Sequence, residues 1–210
     1  GQTLIAINSG ANMNFHRLRH VSERSELGEG NEGIFAVSIP EEAGSFRKFI
    51  NILGNRNITE FNYRYGDDRV AHIFVGIQAA GAPDLANISA ELTAAGLPNT
   101  DLTNDEMSKI HIRYMVGGRT HKVANERLIS FEFPERPGAL GRFLNQMQSD
   151  WNITLFHYRN HGADYGRVLV GVDVPQEDGV AFIEFLNHVG YVYHDETDNA
   201  AYRLFLGNPS

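Results

Sequence analysis

The chain states one pattern twice. Ile39-Pro-Glu-Glu-Ala-Gly-Ser-Phe46 returns as Phe133-Pro-Glu-Arg-Pro-Gly-Ala-Leu140, 94 residues on. Ile58-Thr-Glu-Phe-Asn-Tyr-Arg64 returns as Ile153-Thr-Leu-Phe-His-Tyr-Arg159, and Ile73-Phe-Val-Gly-Ile77 as Val168-Leu-Val-Gly-Val172, both 95 residues on. Three blocks in one order, slipped by a single residue, mark a duplicated module, and the seam between two copies is a natural place for a pair of related sites. The 210 residues have room for two such units, and a 42% hydrophobic content gives each enough apolar material for a core.

Within each copy the periodicity predicts strand, helix, strand, strand, helix, strand. In the first, Gly33–Ile39 is a β-prone run stopped by Pro40, which lacks the N–H a ladder needs. Phe46, Phe49, Ile50 and Leu53 then share one helical face, as do Leu140, Phe143, Leu144 and Met147 in the second copy. Thr59, Phe61, Tyr63 and Tyr65 alternate with Ile58, Glu60, Asn62 and Arg64, the period of a strand. Ala71, Ile73, Val75 and Ile77, matched by Val168, Val170, Val172 and Val174, give the inward face of the next. Second helices follow, ended by Gly96 and Gly190. The expected fold class is α+β: two tandem βαββαβ sandwiches over residues 32–119 and 120–210, each an antiparallel sheet with helices on one face. Residues 1–31 match neither copy and carry a predicted helix at Phe15–Leu27.

A formal net charge of −8 disfavours nucleic acid and anionic membranes as partners. With no cysteine there is no disulfide or thiolate chemistry, and no apolar run is long enough to span a bilayer, so a soluble, cytoplasmic protein is expected. His16 and His20, like His157 and His161, are four apart, but neither pair has a third ligand at zinc-like spacing, and no metal site is expected. No nucleophile triad declares itself by a local motif.

Several blocks resemble one family. Val37-Ser-Ile-Pro-Glu-Glu-Ala-Gly-Ser-Phe46, Thr59–Arg64, Ile112-Arg-Tyr-Met-Val-Gly-Gly-Arg119, Phe131–Leu140, Phe156-His-Tyr-Arg159 and His194-Asp-Glu-Thr197 together resemble the C-terminal regulatory region of biosynthetic threonine dehydratase. Residues 3–31, with Ser9-Gly-Ala-Asn12 and Ser22-Glu-Arg24, resemble the end of that enzyme's catalytic domain. The resemblance implies a pair of ACT-like modules that bind isoleucine as feedback inhibitor and valine as the counteracting effector. It also implies a catalytic domain as partner, a homo-oligomer, and pyridoxal phosphate in the intact enzyme, with Ser9 beside the pyridine nitrogen. The Schiff-base lysine motif and the glycine-rich phosphate loop are not in this sequence, so the chain alone is not expected to be an enzyme.

Binding an amino acid requires donors for its carboxylate, acceptors for its ammonium and a shaped apolar pocket. The Pro-Glu-x-x-Gly turns before the first helices offer the donors, making Gly44-Ser45 and Gly138-Ala139 the carboxylate candidates. Glu41, Glu60, Asn62 or turn carbonyls are the candidate ammonium acceptors. Phe61 and Tyr63, with Phe156 and Tyr158, are the candidate side-chain neighbours, and the resemblance associates the two tyrosines with effector sites. His157 completes the candidate set, opposite Asn62 in the repeat, while Arg64 and Arg159 are expected as exposed interstrand ion pairs. Isoleucine and valine differ by one methylene, which a pocket separates by only about 1–3 kcal/mol, so opposed effects require two conformations or two unequal sites. The alternative is a module of the same type that only assembles, without a ligand of its own.

Overall fold

The computed structural model describes Ser25 and residues 30–115, 117–120, 122–134, 136–148, 150–160 and 165–207. Ser9, His16, His20, His161 and all of the predicted Phe15–Leu27 helix except Ser25 lie outside the described residues.

The first copy runs β1 (Glu32–Pro40), α1 (Ser45–Leu53), β2 (Ile58–Arg64), β3 (Val70–Gln78), α2 (Ala82–Ala94) and β4 (Asn99–Asp101). A short helix α3 (Glu106–Ile110) and a 3-10 turn (Ile112–Tyr114) follow. The second copy runs β5 (Glu126–Pro134), α4 (Ala139–Gln146), β6 (Asn152–Arg159), β7 (Tyr165–Asp173), α5 (Gly179–Val189), β8 (Val192–Asp195) and α6 (Ala200–Phe205). Gly96 (φ 77°) and Gly190 (φ 72°) stand just past α2 and α5 in the left-handed region that their sequence position suggests.

Two separate sandwiches would each leave an edge strand open. Instead the copies fuse through β2 and β6 into one antiparallel sheet of order β4-β1-β3-β2-β6-β7-β5-β8. Glu60 faces Arg159, Phe61 faces Tyr158, Asn62 faces His157 and Tyr63 faces Phe156. Because Asn62 and His157 are the same position of the two copies, a pseudo-twofold axis passes between them. The ladder is extended symmetrically, with Tyr65 N–H donating to Thr154 O and Asn160 N–H to Thr59 O, both at 2.7 Å. The outer edges that remain, β4 and β8, are short and polar, which limits further edge pairing.

Helices α1, α2, α4 and α5 cover one face. The predicted stripe Phe46, Phe49, Ile50 and Leu53 of α1, and Phe182, Phe185, Leu186 and Val189 of α5, are buried there against the predicted β3 and β7 residues in one continuous core. Phe61 and Phe156, repeat equivalents, meet edge to face across the seam with ring centroids 5.1 Å apart.

The opposite face departs from the expectation of helices on one side only. There α3 with its 3-10 turn and α6 cover smaller apolar clusters, Ile34 and Phe74 with Leu102 and Ile112, and Leu128, Leu155 and Tyr202 with Leu169 and Leu206. Both helices are capped alike: Asp105 accepts from Ser108 N–H and Asn199 from Ala201 N–H, each at 2.8 Å. Strand alternation also breaks once per copy. A β-bulge after Ile58, repeated after Ile153, turns Thr59 and Thr154 to this face, opposite Gly76 and Gly171. Thr59 donates to Glu32, and Thr154 to Glu126, the equivalent position. A Cβ on Gly76 would lie 2.4 Å from Thr59 Oγ1, and one on Gly171 2.8 Å from Glu126 Oε1, so glycine is what lets each bulge and its carboxylate fit.

Arg64 and Arg159 were expected in exposed pairs, but the structure buries Arg64. It forms a two-pronged pair with Glu126 of the other copy, the side chains being 7% and 5% exposed. On the equivalent side, Arg159 is buried where Glu60, Arg113 and Glu32 meet, with Arg113 2.8 Å from Glu60 and 3.7 Å from Glu32. The cause is the fusion itself: each arginine ends a seam strand and so lies under the other copy. No helix of the described residues is long and apolar enough to cross a membrane.

Candidate effector site

The pseudo-twofold axis generates two clefts on the helical face, and each is built from both copies. One joins the β1–α1 turn to the α4–β6 turn and is lined by Gly44, Phe46, Arg47, Gln148, Trp151 and Asn152, among others. Its counterpart joins the β5–α4 turn to the α1–β2 turn. Gly138, Leu140, Gly141, Gly54, Arg56 and Asn57 stand there at the repeat-equivalent positions, in the same order. Phe156, Tyr158 and Val168 floor this second cleft. The two differ in size: the space inside them together with the open solvent at the mouth is ≈ 270 Å³ in the first and ≈ 520 Å³ in the second, while the enclosed cavity volumes are only ≈ 20 Å³ and ≈ 40 Å³.

Gly44 (φ 88°) and Gly138 (φ 78°) cap α1 and α4 in the left-handed region, with open space or only Arg142 beside them. This conformation favours glycine and brings the first helical turn to the cleft wall. Ser45 N–H donates to Glu42 O and Ala139 N–H to Arg136 O, so these two amides close the turn. Helix geometry leaves the next two amides without an intrahelical acceptor, those of Phe46 and Arg47 in one copy and Leu140 and Gly141 in the other. The amides left free at each turn thus lie one or two residues into the helix from Gly44-Ser45 and Gly138-Ala139. Ser45 Oγ is buried without a hydrogen-bond partner among the described residues.

Glu41 belongs to this turn and bridges the copies. It accepts from the Tyr63 hydroxyl and, at 2.9 Å, from Asn152 Nδ2 of the cleft lining. Burial raises the Glu41 carboxyl above its ordinary value; the hydrogen bonds from Asn152 and Tyr63 oppose that shift, and the charge of Asp67 adds to it. The Tyr63 phenol is pushed up by burial and by Glu41, and so stays a donor. In the second copy Tyr158 and Asn57 stand at the matching positions, while Glu135, the equivalent of Glu41, lies outside the described residues.

The structure therefore divides the sequence candidates. Glu41, Gly44, Ser45, Phe61 and Tyr63 gather on the helical side of the seam, as do Gly138, Ala139, Phe156 and Tyr158. Asn62, His157 and Glu60 do not. Strand alternation sends them to the opposite face, where Asn62 Nδ2 donates to Arg113 O at 3.1 Å and Glu60 pairs with Arg113. Sequence reasoning missed Asn57, Asn152, Arg47, Arg56 and Trp151. Carrying the repeat one residue upstream of Ile58 and Ile153 aligns Asn57 with Asn152, whereas Arg47, Arg56 and Trp151 have no like partner in the other copy and no such signal.

A duplicated βαββαβ chain, fused edge to edge with a pair of two-sided clefts at its seam, is a tandem regulatory module of the ACT-like type. The family model described as the C-terminal regulatory domain of threonine dehydratase matches twice, over residues 23–112 and 117–206, and the chain belongs to that family. It is 58% identical over 98% of its length to the biosynthetic L-threonine dehydratase IlvA of Burkholderia multivorans and 54% identical to that of Escherichia coli. It is 38% identical, over 97% of its length, to the chloroplastic biosynthetic threonine dehydratase of Arabidopsis thaliana. It spans 40% of the two bacterial proteins and 34% of the plant one.

Proposed function

We propose that this chain is the part of a biosynthetic threonine dehydratase that senses branched-chain amino acids, isoleucine as inhibitor and valine as its antagonist, at the two seam clefts. The observation that carries the reading is the two-copy construction of each cleft. A ligand held between turns of different copies changes how the copies sit on each other, which a ligand inside one module would not do. The α-carboxylate binds at the amides opening α1 or α4, and its aliphatic chain lies toward Phe156 and Tyr158 or their counterparts. Glu41, held by Tyr63 and Asn152, supplies an acceptor for the ammonium. The effector set of this proposal is Glu41, Gly44, Ser45, Phe61, Tyr63, Gly138, Ala139, Phe156 and Tyr158, without Asn62 and His157.

Pyridoxal phosphate, threonine and the catalytic domain belong to the whole enzyme, with Ser9 contributing only there. Among the described residues neither seam cleft is lined by a lysine, so neither fits that cofactor's aldimine. Pairing β2 with β6 inside the chain uses the edges that a purely assembling module would offer to a second copy, which favours sensing over assembly as the main role. Homo-oligomer formation remains part of the proposal for the whole enzyme. Calorimetric titration with isoleucine and valine, with leucine and threonine as controls, tests the reading. Saturable isoleucine binding that valine alters supports it, and silence toward all four overturns it.

A further inference from the structure

The two clefts share a plan and differ at several paired positions, Phe46/Leu140, Gln148/Gly54 and Trp151/Arg56 among them, of which the pair Arg47/Gly141 is decisive. Arg47 of α1 and Gly141 of α4 are repeat equivalents, each facing the other copy across the seam. Arg47 lays its guanidinium across the first cleft, donating to Leu144 O at 3.0 Å and to Met147 O at 2.7 Å. Those are carbonyls at the C-terminal end of α4. At Gly141 the second cleft has no side chain, and a Cβ there would meet only Ile50 Cγ2, at an ordinary 3.6 Å.

The reason for the difference lies in how the two helices end. α1 stops at Gly54 (φ 65°), whose N–H makes the last intrahelical bond to Ile50 O, while Arg56 donates to Leu53 O. The carbonyls of Ile50 and Leu53 are thus met from within the first copy. Gln148 stands where Gly54 does, and α4 runs instead into an extended Met147, leaving its terminal carbonyls to be met from outside. Arg47 meets them, and in doing so occupies the cleft. The stabilisation of one helix end and the closing of one site are the same contact.

From this we propose that Arg47 is the residue that makes the two sites unequal. The Gly141 cleft is open and takes the branched aliphatic amino acid first. The Arg47 cleft fills only when the guanidinium leaves Leu144 and Met147, which exposes the end of α4 and loosens the seam. The second binding event is thereby coupled to a change in module packing, and the first is not. The inference rests on the reading of the seam clefts as amino-acid sites.

The test is isoleucine calorimetry on the 210-residue chain and on two variants, Arg47→Ala and Gly141→Arg, each checked for a cooperative unfolding transition. The parent should show two classes of site. Arg47→Ala should bring the weaker class to within about tenfold of the stronger, because the strap is gone. Gly141→Arg should weaken the stronger class by about tenfold or more, by supplying a side chain where none stood. Two equal classes in the parent, or variants that reproduce the parent isotherm, overturn the role of Arg47 and leave the effector reading standing. No isoleucine binding by any of the three proteins overturns the effector reading, and this inference with it.

Discussion

Truncating Arg64 to alanine removes five hydrogen bonds, three of them to backbone carbonyls of Gly118, Thr154 and Leu206 and two to the Glu126 carboxylate. If the pair were exposed, as the sequence suggested, the loss would be about 0–1 kcal/mol and salt would already have screened most of it. With both side chains all but buried, removing one partner strands a carboxylate in the interior, which costs roughly 3–5 kcal/mol. Thr154 and the Tyr202 hydroxyl, the latter 2.6 Å from Glu126, still donate to that carboxylate, so the expected value is the lower end, about 3 kcal/mol. Urea denaturation at neutral pH reads this as a drop in midpoint with little change in slope. Replacing both partners, Arg64→Met with Glu126→Leu, should recover at least half of the loss, because no uncompensated charge is left behind. An Arg64→Ala loss below about 1 kcal/mol that salt diminishes further would refute a buried lock at the seam.

Tyr63→Phe should weaken isoleucine binding by about tenfold, because Glu41 loses a donor that fixes its orientation, and Tyr158→Phe should act likewise in the second cleft; calorimetry that finds both unchanged removes the tyrosines from the site. Burial, opposed by Arg113 and reinforced by Glu32, pushes the Glu60 carboxyl from 4.5 up to about 7. The folded state therefore holds that proton more tightly than the unfolded one, so stability falls as pH rises from about 4.5 to 7, by an amount on the order of 3 kcal/mol. Glu60→Gln should flatten that slope in unfolding experiments from pH 5 to 8, and an unaltered slope would assign it to other groups. Gly76→Ala and Gly171→Ala drive a methyl into the Thr59–Glu32 and Thr154–Glu126 contacts and should each lower stability by about 1–3 kcal/mol or more. Gly44→Ala meets no neighbour and should cost only the roughly 1–2 kcal/mol of a left-handed non-glycine residue, which thermal unfolding can rank against the other two.

The repeat made most of the fold legible, because helical stripes and strand alternation depend on spacing alone. Phe46, Phe49, Ile50 and Leu53 are buried as their spacing predicts. What spacing could not give was the relation of the copies. The β2–β6 pairing joins residues far apart in sequence, and it turned Arg64 from a strand-end arginine into a buried cross-seam partner of Glu126. The bulge at Thr59 was hidden for a similar reason: it depends on Gly76 in the neighbouring strand. β4 and β8 carry no hydrophobic alternation, being three and four residues long. At the site, the turns and the aromatic strand residues were visible, and Asn62 and His157 were misplaced by grouping a whole strand block rather than one of its faces. Asn152 and Arg47 make their side-chain hydrogen bonds across the seam, so each looks like an ordinary polar surface residue within its own copy.

A crystal structure of the chain grown with isoleucine tests the central claim most directly. The account predicts the ligand in the Gly141 cleft, its carboxylate at the amides of Leu140 and Gly141 and its side chain against Phe156 and Tyr158, with the Arg47 cleft filled only where the guanidinium has left Leu144 and Met147. Isoleucine on the opposite face of the sheet, between Leu128, Tyr202 and Phe205, or within one copy away from the seam, would contradict it.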